Sequence, residues 1–166
     1  LPFEPPYMEA AGMRCDFVGH PVVTEPQADS ADAAAFRLRH DLGTAPLALV
    51  LPGSRRSEVS RLAPVFGEVA KRLHEARPEL RLVIPAAAPV AGMVRELCGG
   101  WEVAPLILDP RELGPEMQAE KRAAFRAADV ALAASGTVSL ELAAAGTPMV
   151  VAYDMGWLSR QIIGRM

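Results

Sequence analysis

Residues 129–148 constrain the fold more than any other stretch of this chain. An apolar run, residues 129–134, leads into the small turn Ser135-Gly136-Thr137, a helical segment follows, and Gly146 with Pro148 stops it. A short apolar run without polar alternation reads as a strand buried on both faces, as in a parallel sheet. The same kind of run recurs at residues 46–51 (PLALVL), 80–85 (LRLVIP), 105–108 and 149–153 (MVVAY). Between two of these runs, Val59, Leu62, Ala63, Phe66, Val69, Ala70 and Leu73 repeat at helical spacing and give one apolar stripe. Strands alternating with helices imply βαβ units. The expected fold is therefore α/β, a Rossmann-like parallel sheet with helices on both faces and right-handed crossovers.

The other elements follow from local signals. Residues 1–6 (LPFEPP) read as extended and proline-punctuated, and residues 14–18 as a short strand broken by Gly19-His20-Pro21. Ser30 is the expected cap of a helix running through Ala33, Phe36 and Leu38 and ended by Gly43. Residues 90–98 read as a helix closed by Gly99-Gly100, residues 109–120 as a charged insertion, and residues 123–128 as a helix before the strand at Asp129. Trp157, Leu158, Ile162 and Ile163 alternate with Arg160 and Arg165 in an amphipathic pattern with no stop signal. The chain opens on Leu1 without an initiator Met, so it reads as a piece of something larger. Residues 1–26 are expected to be an edge and linker, and residues 27–166 the main domain, cut short at its end.

In open parallel sheets ligands bind outside the carboxyl ends of the strands. Two turns fall there, Gly53-Ser54-Arg55 and Ser135-Gly136-Thr137. The second opens a helix whose first N–H groups are unsatisfied, which makes it a seat for an anion. Glu141, a turn further in, repels an anion but can accept hydrogen bonds from sugar hydroxyls, and the pair of features suggests a nucleotide sugar. Gly53 permits close approach of backbone, Ser54 offers a hydroxyl and an N–H, and Arg55 can lay its planar fork on a diphosphate. The plainer alternatives stay open: Ser/Gly turns occur throughout α/β proteins, Glu141 reads equally as a solvated helix residue, and Arg55 as a surface arginine.

Other chemistries lack their residues. Gly53 is not followed by the second Gly, Lys and Ser/Thr of a phosphate-binding loop, no G-x-G-x-x-G follows a strand, and no G-x-S-x-G elbow is present. The histidines, His20, His40 and His74, form no metal-binding cluster, so neither metal nor cofactor is expected. A net charge of −3 gives no footprint for nucleic acid. Cys15 and Cys98 are isolated, which fits a reducing compartment. No apolar run reaches the length of a membrane span.

Taken in order, LPFEPP, Phe17-Val18-Gly19-His20-Pro21, Leu51-Pro52-Gly53-Ser54-Arg55 with Glu58, Ala134-Ser135-Gly136-Thr137 with Leu140-Glu141, and Pro148-Met149-Val150-Val151 with Tyr153 and Met155 resemble bacterial lipid-A-disaccharide synthase. The resemblance spans nearly the whole chain. It implies the C-terminal, nucleotide-sugar-binding half of a two-domain glycosyltransferase of the GT-B type. Such an enzyme transfers diacylglucosamine from its UDP derivative to diacylglucosamine 1-phosphate, with inversion and without metal. On that resemblance Gly53, Ser54 and Arg55 face the diphosphate, Ser135, Gly136 and Thr137 supply N–H groups to it, Glu141 binds the ribose, and backbone near Ile107 and Leu108 reads the uracil. The general base is expected outside this chain, with His20 either a linker residue or a candidate that reaches the cleft. The implied setting is cytoplasmic, peripheral to the inner membrane. The apolar residues between Trp157 and Ile163 are expected to pack on a missing domain, touch membrane, or pair two copies as a homodimer. Another UDP-N-acetylglucosamine-using GT-B enzyme or epimerase, and a non-catalytic nucleotide-binding module, are the competing readings.

Overall fold

The computed structural model describes residues 2–154. Five strands, β1 (Leu47–Leu51), β2 (Arg81–Pro85), β3 (Leu106–Leu108), β4 (Val130–Ala134) and β5 (Met149–Ala152), form one sheet in the order β3-β2-β1-β4-β5. All four pairings are parallel; Leu51 of β1 stands beside Ala133 of β4, and Val83 of β2 beside Leu106 of β3. The helices are α1 (Glu4–Ala10), α2 (Ser30–Arg39), α3 (Arg56–Ala76), α4 (Ala91–Cys98), α5 (Pro110–Leu113), α6 (Met117–Ala127) and α7 (Val138–Ala145).

Strand side chains alternate between faces, and that alternation builds two cores. Ala48, Val50, Leu82 and Ile84 pack with Val59, Leu62, Phe66 and Ala70 of α3 and Val94 of α4. Leu47, Leu49, Leu51 and Val83 pack on the other face with Phe36 of α2, Phe125 of α6 and Leu142 of α7. β1 is buried along its full length because it lies in the middle of the sheet with helices above and below. The parallel sheet covered on both faces is the architecture expected from the alternating runs.

Several local expectations are corrected. Residues 4–10 are helical rather than extended: Pro5 and Pro6 sit in the first turn, where their missing N–H groups would have no helical partner anyway. Residues 14–18 form no strand, because no described strand lies alongside to pair with them, and Val18 is exposed. Helix α2 is capped by Asp29, not Ser30. Its Oδ1 accepts from the N–H groups of Ala31 and Asp32, and Asp32 returns a bond to the Asp29 N–H. That helix ends at Arg39, with Asp41 left-handed at φ 51°, before Gly43 is reached. Leu38, two positions from buried Phe36 and so turned about 200° away from it, is exposed. The charged insertion read at residues 109–120, given no secondary structure from the sequence, is helical through most of its length. Among the described residues β5 lies at the edge of the sheet with β4 as its strand partner, and Val150 and Val151 are exposed. The amphipathic pattern at residues 157–165 lies outside the described residues.

The burial contrast has a measurable consequence. Phe66→Ala should lower stability by about 3–5 kcal/mol through the cavity it leaves, whereas Val150→Thr at the exposed edge should stay within about 0.5 kcal/mol. Urea midpoints of the two variants check this, and equal losses would show that the core assignment is wrong.

Candidate functional site

The strand order reverses beside β1: β2 and β3 lie on one side of it, β4 and β5 on the other. At such a reversal the connections leaving neighbouring carboxyl ends part to opposite faces and open a crevice. Here the two strands are β1 and β4, and the crevice is a cleft of about 480 Å³. Gly53, Ser54, Arg55 and Glu58 line one wall, Ser135, Gly136, Thr137 and Glu141 another, and Met117, Gln118 and Lys121 of α6 a third. Ala86, Ala87 and Pro110 close the side toward β2 and β3. The two turns read from the sequence, 82 positions apart from Gly53 to Ser135, therefore face one space.

The turn after β1 is held by Glu58. Its Oε2 accepts from the Ser54 N–H at 3.0 Å and the Arg55 N–H at 3.2 Å, and its Oε1 accepts from Arg55 Nη1 at 2.7 Å. Gly53 has φ 124°, and a Cβ there would lie 2.6 Å from the Glu58 Cβ, so the turn admits only glycine. Burial pushes the Glu58 carboxyl up, but the Arg55 guanidinium and the two amides outweigh it and hold the group below its ordinary value. The Ser54 amide, expected to face a ligand, is thus engaged within the turn. The Ser54 hydroxyl and the largely exposed Arg55 side chain remain on the cleft wall.

The turn after β4 is open by comparison. Thr137 is the N-cap of α7 and makes no side-chain capping bond. The N–H groups of Ser139 and Leu140 turn back to the carbonyls of Gly136 and Thr137. Among the described residues the amides of Gly136, Thr137 and Val138 are left without a protein acceptor, at the positive end of the helix. Gly146, at φ 74°, ends α7 in the left-handed cap read from the sequence.

Glu141 lines the cleft and is bound by Lys121, whose Nζ lies 2.5 Å from Oε2. Sequence reasoning missed Lys121: the two residues are 20 positions apart on different helices, and no local spacing links them. Ile107 and Leu108 do not line the cleft; Leu108 is buried, and its carbonyl accepts the Ala86 N–H at 3.0 Å. His20 does not line it either, and its Nδ1 accepts from the Val22 N–H.

Asp109, also missed, anchors the rim. Its side chain is fully buried and caps α5 by accepting the Arg111 N–H, and it further accepts from Arg111 Nε and Nη2 and from Arg95 Nη2. The Arg111 guanidinium, with Arg95 beside it, holds the Asp109 carboxyl well below the usual carboxylate range against the opposing effect of burial. Cys98, the last residue of α4, is buried in the core, and burial pushes its thiol up to about 11, which leaves it unreactive at neutral pH. Among the described residues no group of three or more His, Cys, Asp or Glu side chains is placed to hold a metal ion.

A profile of the lipid-A-disaccharide synthetase family matches residues 1–166. The chain is 61% identical over 167 residues to a lipid-A-disaccharide synthase of Ruegeria pomeroyi, covering 100% of this chain and 42% of that protein. It is 48% identical to one of Rhodospirillum centenum, covering 99% of this chain and 39% of the relative. The chain thus spans about two fifths of the length of these relatives. Among solved structures, a glycosyl transferase family 9 protein from Veillonella parvula superposes with a TM-score of 0.61 at 16% identity, over 84% of this chain and 46% of that one, which shows a shared fold.

Because the folded pKa of Asp109 is depressed, its stabilisation is fully present above the unfolded value near 3.9 and fades as pH falls through and below that value. Asp109→Asn should cost at least about 1.5 kcal/mol at pH 7 and flatten the acid limb of stability below about pH 4. Urea unfolding across pH 2–7 checks this; an unchanged acid limb would show that the Asp109 cluster does not contribute to it.

Proposed function

The chain belongs to the lipid-A-disaccharide synthetase family, and from that premise we propose that it carries the nucleotide-sugar site of an inverting glycosyltransferase. The reaction transfers 2,3-diacylglucosamine from its UDP derivative to 2,3-diacylglucosamine 1-phosphate, releasing UDP and the lipid A disaccharide 1-phosphate. Residues 27–166 form the donor-binding domain and residues 1–26 the linker that leads into it. The observation that carries this reading is the convergence of Arg55, the open N-terminus of α7 and Glu141 on one cleft.

In this reading the diphosphate lies against the amides of Gly136, Thr137 and Val138, with the Arg55 guanidinium on its other side. Both stabilise the negative charge that grows on the leaving UDP as the anomeric bond breaks, and because they are fixed beforehand they need little reorganisation. Glu141 accepts hydrogen bonds from the ribose hydroxyls. The uracil lies toward Ala86, Ala87 and Pro110, past the end of β3 that contains Ile107 and Leu108. The proton of the attacking hydroxyl needs an acceptor within hydrogen-bond reach. The two cleft carboxylates are unsuited to this: Glu58 is tied to its own turn and Glu141 to Lys121. The base is therefore supplied from elsewhere in the enzyme, and His20, engaged with Val22, is not assigned the role.

Both sugars carry acyl chains, so the proposed workplace is the cytoplasmic face of the inner membrane, with the enzyme peripheral to it. Among the described residues no helix is long and apolar enough to cross a membrane.

Calorimetry with UDP tests the site. The parent protein should bind UDP, and Arg55→Ala and Glu141→Ala should each weaken binding about tenfold or more, the cost of a lost charge-assisted hydrogen bond. Equal affinity in all three proteins would refute the assignment. Incubated alone with donor and acceptor, this chain should bind UDP yet form no disaccharide; measurable synthesis would place the base within it.

A further inference from the structure

Among the described residues four charged side chains line the cleft, Arg55, Glu58, Lys121 and Glu141. They form two ion pairs, Arg55 with Glu58 and Lys121 with Glu141. The first is local, between residues three apart. The second joins α6 to α7, linking two walls of the cleft, and is the less exposed, with side chains 20% and 32% accessible. Met117, Gln118 and Lys121 share one face of α6, which directs Lys121 into the cleft. Its Nζ also lies 5.4 Å from the centre of the Phe125 ring, a buried side chain on the next turn. Two contacts therefore fix the ammonium: the ring face beneath it and the Glu141 carboxylate beside it.

Glu141 poses a physical problem for the proposed site, on which this inference rests. A bare carboxylate in a half-buried cleft repels a diphosphate, and the repulsion is only weakly screened there. It also lacks a reason to hold one orientation. Lys121 answers both difficulties. It cancels the charge of Glu141, and by taking Oε2 it leaves Oε1 for a ligand hydroxyl. We propose that Lys121 is a positioning residue that lets a single cleft accept both the vicinal diol and the diphosphate of a nucleoside diphosphate sugar. It acts through Glu141, not through direct contact with the reacting atoms.

The proposal separates from a merely structural role by ligand discrimination. Calorimetry would compare UDP, 2′-deoxy-UDP and uridine as probes of the parent, Lys121→Met, Lys121→Arg, Glu141→Gln and the Lys121→Met/Glu141→Gln double variant. Met keeps the apolar stem over Phe125 while removing the charge. Lys121→Met should weaken UDP about tenfold, weaken uridine by about threefold or less, and reduce the preference for UDP over 2′-deoxy-UDP to about twofold or less. Lys121→Arg should recover most of the UDP affinity. In the Glu141→Gln background, where no carboxylate remains to be neutralised, Lys121→Met should change UDP binding by about twofold or less. A tenfold loss persisting in that background, or a uniform loss for all three probes, would overturn the proposal. A parent protein that binds none of the probes would overturn the nucleotide-sugar reading itself. A parent that binds UDP alongside an unaffected Lys121→Met would overturn only the role given to Lys121.

Discussion

The pairing of β1 with β4 is the constraint on which the rest of the structure depends. Where these neighbours leave the sheet, one chain continues into α3 on one face and the other into α7 on the opposite face. The crevice between them is a consequence of topology rather than of any one side chain. What keeps it in place is burial: Leu47, Leu49 and Leu51 point to one core, Ala48 and Val50 to the other, so β1 cannot slip by one residue without exchanging both sets. A register held that firmly fixes the relative positions of Gly53 and Ser135 at the cleft.

The sequence makes the sheet legible because the strands are short, aliphatic and unalternated, and the helix between the first two carries a clear stripe. The two cleft turns are equally legible, since each directly follows a buried run. What escaped was of two kinds. At the chain's start, Pro5 and Pro6 look like helix breakers, yet in a first turn they cost no hydrogen bond. At β5 the residues Val150 and Val151 look buried, but exposure depends on how many strands lie beyond, which a local pattern does not record.

The second kind concerns polar pairs. Asp109 opens the charged insertion read at residues 109–120, and nothing local marks it as the buried anchor shared by Arg95 and Arg111. Lys121 and Glu141 meet only because α6 and α7 pack side by side. Glu58, by contrast, lies within one helical turn of Arg55, so its bond to the Arg55 side chain and amide is the kind of local pattern a sequence does record. Its consequence is less evident: by occupying the Ser54 and Arg55 amides it removes them from the donors available to a ligand.

That occupancy divides the labour between the two turns. The N-terminus of α3 is already neutralised by a carboxylate of its own chain, and a second anion there would displace Glu58 or be repelled by it. The N-terminus of α7 has no such cap, and three amides stand without a protein acceptor among the described residues. In the proposed site an anion therefore settles at α7, with Arg55 reaching over from the other wall. Glu58 then has a positive role: held low in pKa and bonded to Arg55 Nη1, it fixes one edge of the guanidinium and leaves the other free to turn toward the ligand. In this view the two turns are alike in sequence and opposite in electrostatic duty, one supplying the open helix end and the other the oriented cation.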